Sequence, residues 1–93
     1  MKTKIAVMGG LNMDMIMNID RFPRAGETLT ATSFNQAPGG KGGNQAAAAA
    51  KLGATVTMVG AVGKDALGDT LLSRLKAMGV NTGAVVRVSD APT

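Results

Sequence analysis

Ala37-Pro38-Gly39-Gly40-Lys41-Gly42-Gly43-Asn44-Gln45-Ala46 leads into a run of alanines that ends at Ala50, and the reading of this stretch decides the fold. Glycines at 39, 40, 42 and 43 would cost conformational entropy inside a regular element, so they read as a loop that needs positive φ or a backbone bare enough to touch a ligand. Ala46 through Leu52 are good helix formers, and Gly53 falls where a left-handed C-terminal cap belongs. The loop is therefore expected to become a helix whose first turn, near Gly43 and Asn44, holds unpaired N–H groups facing the loop. Such an end binds anions or hydroxyl oxygens; Lys41 adds a mobile cation and Asn44 an amide that both donates and accepts. The same composition also suits a plain connection between two elements.

Upstream, Lys4 to Met8 is a short apolar run bounded by Gly9-Gly10 and reads as a buried strand of a parallel sheet. Asn12 and Asp14 follow, two residues apart, so an extended chain projects both from one face. Read alone, the pair is better taken as a turn asparagine and a merely solvated carboxylate than as a site. Met15 to Ile19 suits a strand with one well-buried face, Phe22 to Glu27 a turn, and Thr28 to Phe34 a second strand with its threonines on one side. These two strands form a hairpin-like pair between the first strand and the glycine stretch, placed to cover a polar site.

Downstream, Thr55 to Val62 reads as a core strand that completes a β-loop-α-β unit. The alanines before it let the helix lie close to the sheet. Asp65 suits the N-cap of a further helix carrying Leu67, Leu71, Leu72, Leu75 and Met78, with Gly79 as its stop. Asp65 and Asp69 stand near its positive end and Arg74 and Lys76 toward its negative end. Gly63-Lys64-Asp65 fails as a P-loop, because Met58 and Asp65 occupy the places that need Gly and Ser or Thr. Ala84 to Val88 is the last β-prone run, and Ser89 to Thr93 adds no element.

The 93 residues make one small domain with a modest core. Only Phe22 and Phe34 are aromatic, and most of the seven methionines are expected to pack. The absence of cysteine and histidine excludes disulfides, thiolate and histidine metal sites and Ser-His or Cys-His catalysis within this chain, and fits a cytoplasmic location. The net charge of +4 comes from basic residues scattered singly, without an aromatic platform, which argues against nucleic acid as a partner. No segment is long and apolar enough to span a bilayer, so no membrane partner is expected.

The register of Gly39-Gly40, Gly42, Asn44, Ala46, Gly53 and Gly63, with Gly-Gly-Lys-Gly-Gly-Asn-Gln-Ala at its heart, resembles the N-terminal signature of the ribokinase or PfkB family of sugar kinases. The resemblance covers nearly all of this sequence but only about the first third of such an enzyme. It implies an α/β fold, the N-terminal part of a three-layer αβα sandwich, with core strand-helix units at 1–11 and 39–93 and an inserted β-strand lid at about 12–38. It resolves the reading of Asn12-Met13-Asp14, since an Asn-x-Asp after the first strand grips sugar hydroxyls in that family. The implied substrate-binding residues are Asn12, Asp14, Gly40, Lys41, Gly42, Gly43 and Asn44, around a pentose-like sugar such as ribose. ATP and Mg2+ are the implied cofactors, with a monovalent cation as a further candidate, and a homodimer clasped through the lid is the implied assembly.

The family's catalytic aspartate lies in a Gly-Ala-Gly-Asp motif that this chain lacks, so neither catalytic base nor ATP site is expected here. The chain is then the sugar-holding piece of a longer kinase, inactive by itself. The competing readings are a non-catalytic sugar-binding or subunit-clasping module, and a nucleoside or fructose-type kinase of the same superfamily.

Overall fold

A computed structural model describes residues 2–93; Met1, counted above among the packing methionines and in the first core unit, lies outside them. In chain order the elements are β1 (Lys4–Met8), β2 (Asn12–Asn18), β3 (Ser33–Gly39), α1 (Lys41–Lys51), β4 (Thr55–Gly63), α2 (Ala66–Ala77) and β5 (Asn81–Val88). Strands β1, β4 and β5 form a parallel sheet in the order β1-β4-β5, while β2 and β3 form a separate antiparallel ribbon.

Strand β4 is central because both of its edges are paired and its alternate residues carry the core. Val56, Met58 and Val62 are almost wholly buried, and they share clusters with Val7 of β1, Ala46 of α1 and Leu71 and Leu75 of α2. Both helices therefore cover one face of the sheet. Residues of the opposite parity, among them Ala6, Met8, Ala61 and Val86, are exposed, so these residues build two layers of the expected sandwich.

The two helices stop in the same way. Gly53 and Gly79 adopt φ of 95° and 86°, and the amides of Ala54 and Val80 return to the carbonyls of Ala49 and Leu75. This wrap satisfies carbonyls that the helix end would otherwise leave open. Asp65 caps α2, its carboxylate accepting from the Gly68 amide at 2.8 Å, as the sequence indicates.

Three expectations are corrected. The second lid strand is not Thr28 to Phe34 but Ser33–Gly39, and it takes in Ala37, Pro38 and Gly39. Its limit is set by its partner: Asn18 pairs with Ser33 at the end of β2, so Thr28 to Thr32 have no strand opposite them beyond the bond from Thr32 to the Asn18 carbonyl. The ribbon also lacks the buried face expected of Met15 to Ile19. Only its base, at Met13 and Ala37 to Gly39, is covered among the described residues, and Met15, Ile16 and Met17 are exposed. Accordingly, among the described methionines only Met13 and Met58 are buried, while Met8, Met15, Met17 and Met78 face solvent.

The turn between β2 and β3 is held by a two-pronged ion pair, Arg21 donating to both carboxylate oxygens of Glu27 at 2.6 and 2.7 Å. That contact, followed by the bond from the Arg24 amide, holds the Glu27 carboxyl below its ordinary value. No helix among the described residues is long and apolar enough to cross a membrane.

Candidate functional site

Strand β2 carries the paired amide and acid. Asn12 and Asp14 share a face, as period-two geometry requires, and the Asn12 amide donates to the Asp14 carboxylate at 2.8 Å. That bond selects the rotamer of the acid and leaves its second oxygen for another donor. Across the ribbon Asn12 faces Gly39 and Asp14 faces Ala37. A Cβ placed on Gly39 would stand 2.6 Å from both Asp14 oxygens, so the carboxylate lies over bare backbone just before α1 begins.

The glycines divide into different roles. Helix α1 starts at Lys41, two residues before the first turn expected near Gly43 and Asn44, so Gly42 and Gly43 lie within its first turn and not in a loop. Gly40 is the residue with the left-handed backbone, at φ 87°, and a Cβ there would meet the Gly10 carbonyl at 2.6 Å. Gly42 is buried against the β1–β2 corner, where a Cβ would come within 2.7 Å of the Gly9 carbonyl carbon. Helix propensity disfavours these glycines, and the close approach of two backbones overrides it.

The same approach corrects the expectation of free amides at Gly43 and Asn44. The Gly43 N–H donates to the Gly10 carbonyl at 3.1 Å, and the Asn44 N–H donates to Gly40 in the first helical bond. Main chain from the β1–β2 corner thus caps α1, which has no side-chain cap. Lys41 and Asn44 keep exposed side chains. Of the seven expected residues, the structure joins Asn12, Asp14 and Gly40 at the ribbon's base and places Gly42 and Gly43 as packing beneath the helix start. A cavity of about 380 Å³ beside this region takes in Gly43 and Asn44 but not Asn12, Asp14, Gly40, Lys41 or Gly42.

A second polar constellation had no local signal in the sequence. The Asp65 carboxylate accepts from the Thr93 amide at 2.8 Å and from its hydroxyl at 2.6 Å, and that hydroxyl accepts from the Gly63 amide. Bonds from Thr93, with the Gly68 amide after them, hold the Asp65 carboxyl below its ordinary value. Arg87 completes the knot by donating to the carbonyls of Gly63 and Asp65 while pairing with Asp69 at 2.8 Å. Asp65 is therefore both a helix cap and a tether for the segment after β5. No group of three or more acidic, histidine or cysteine side chains able to hold a metal occurs among the described residues.

Comparison with known proteins follows the same lines. The profile of the family described as pfkB family carbohydrate kinase matches residues 2–93. The chain is 55% identical over 78 residues to a ribokinase of Bacillus subtilis (strain 168), covering 84% of this chain and 27% of that protein. It is 44% identical over 84 residues to a deoxyribokinase of Salmonella typhi, covering 90% and 28%. The structure of Arabidopsis thaliana ribokinase complexed with ribose and ATP superposes on all of this chain and 30% of its own, at 38% identity and a TM-score of 0.89. The chain spans less than a third of the length of these relatives.

Proposed function

The chain belongs to the pfkB family of carbohydrate kinases, and from that premise we propose that it carries the sugar-holding part of an ATP-dependent sugar kinase, with ribose as the favoured acceptor. The observation that carries this reading is the Asp14 carboxylate, oriented by Asn12 and laid over Gly39 beside the start of α1. A carboxylate fixed in this way accepts bonds from two neighbouring hydroxyls, and charge-assisted bonds are the strong ones. Lys41 and Asn44, exposed on the first turn of α1, supply a cation and an amide for the remaining oxygens. The ribbon β2–β3 acts as the lid, and its exposed Met15, Ile16, Met17 and Phe34 form the surface through which two copies clasp.

ATP supplies the phosphoryl group in the reaction of such a kinase. The residues present here do not fit ATP or Mg2+: the sequence has no Gly-Ala-Gly-Asp stretch, no metal-holding cluster occurs among the described residues, and no transfer step is assigned to them. The chain by itself is expected to give no turnover of ribose with Mg-ATP.

The test is thermal protection of the chain by ribose, deoxyribose, fructose and adenosine in parallel. A sugar present at one hundred times its dissociation constant stabilises the folded state by about 2.7 kcal/mol. Protection by ribose or deoxyribose, abolished in Asp14→Ala, is the expected result. Protection by adenosine or fructose alone reassigns the acceptor, and protection by none of the four sinks the sugar-holding reading.

A further inference from the structure

Between α1 and α2 lies a groove of about 380 Å³, within the range of roughly 300–1,000 Å³ typical of small-molecule sites. Leu71, Leu75 and Met78 of the α2 side line it, and the short side chains of Ala47 and Ala48 keep the α1 side open. It meets the proposed sugar cradle at Gly39, Gly43 and Asn44, and the binding of an anion in it does not depend on that reading.

The charges around the groove have one sign. Lys51, at the end of α1, and Arg74, in the last turn of α2, both line it, and no carboxylate does. Neither takes part in an ion pair among the described residues, whereas Arg21 and Arg87 do. The C-terminal ends of the helices bring a partial charge of roughly −0.5 each, so two full cations leave this end of the groove with a net charge of about +1. An apolar bed with two unpaired cations beside it is complementary to a molecule with an apolar body and an acidic head.

We propose that the groove binds a small organic anion whose ring-sized apolar body lies on Leu71, Leu75 and Met78 and whose carboxylate, sulfonate or phosphate sits between Lys51 and Arg74.

The experiment titrates the full chain with anilinonaphthalene sulfonate, followed by fluorescence, beside the uncharged parent phenylnaphthylamine. One saturable site for the sulfonate is expected. Lys51→Gln combined with Arg74→Gln weakens the sulfonate about tenfold through loss of two exposed charge contacts and leaves the uncharged parent unchanged. Lys4→Gln combined with Lys64→Gln, with the same change in net charge away from the groove, has no effect. Ala48→Trp, an exposed helix position that fills the groove, removes both probes while circular dichroism stays unchanged. Sulfonate binding that survives both groove variants, or that falls equally in the Lys4/Lys64 pair, overturns the proposal. If one groove variant does not fold, the other decides.

Discussion

The Asp14 carboxylate rests on the backbone of Gly39, so near that a methyl group there would stand 2.6 Å from each of its oxygens. The acid is the mobile end of a side chain and can swing away, so Gly39→Ala should leave folding nearly intact and displace the acid. Loss of a charged hydrogen bond is worth about 1.5–3 kcal/mol, which corresponds to at least tenfold weaker ribose binding. Calorimetric titration of Gly39→Ala, Asp14→Ala and the double variant checks this. The two effects should be strongly non-additive, because both act through one carboxylate.

Gly42 presents the opposite case. The atoms that a Cβ would meet there, in Gly9 and Gly10, are main chain and cannot swing aside. Overpacking of this kind costs about 1–3 kcal/mol, more than the ~1 kcal/mol that alanine returns in helix propensity. Gly42→Ala should therefore lower the urea midpoint, whereas Gly10→Ala, with nothing within 4 Å of its Cβ position, should leave it nearly unchanged.

The knot at Asp65 makes stability depend on acid. Its carboxyl is held below the ordinary value, chiefly by the Thr93 hydroxyl, so the folded state favours the ionised form. The stability this contributes is present above the unfolded value of about 3.9 and is lost as pH falls through the lower folded value. Thr93→Val removes the main cause, so the Asp65 titration followed by NMR should move back up toward the ordinary carboxylate value. The acid limb of a melting-temperature profile should flatten with it.

Much of this was legible along the chain. Period-two spacing placed Asn12 and Asp14 on one face, apolar spacing located β1, β4 and α2, and Gly53 and Gly79 marked the helix ends. The failures share a cause. Alternating threonines at 28–32 have strand propensity, but a strand needs a partner, and β2 ends opposite Ser33. Gly42 and Gly43 look like loop residues because their purpose is contact with Gly9, Gly10 and Leu11, segments distant in sequence. Thr93 gives no local sign that it reaches Asp65, since only the parallel arrangement of β4 and β5 brings the two together.

The ribbon has a consequence in time as well as in space. Two strands with only Met13 and Gly39 buried, both at their base, gain little from the core, and an isolated pair of strands is marginally stable in water. Local opening there requires far less free energy than opening β4, so its backbone amides should trade protons with solvent long before those of Val56 and Met58. The arm that holds Asp14 is thus the part of the molecule that breathes, loosest near Met17 and Phe34 and steadiest where Asn12 meets Gly39.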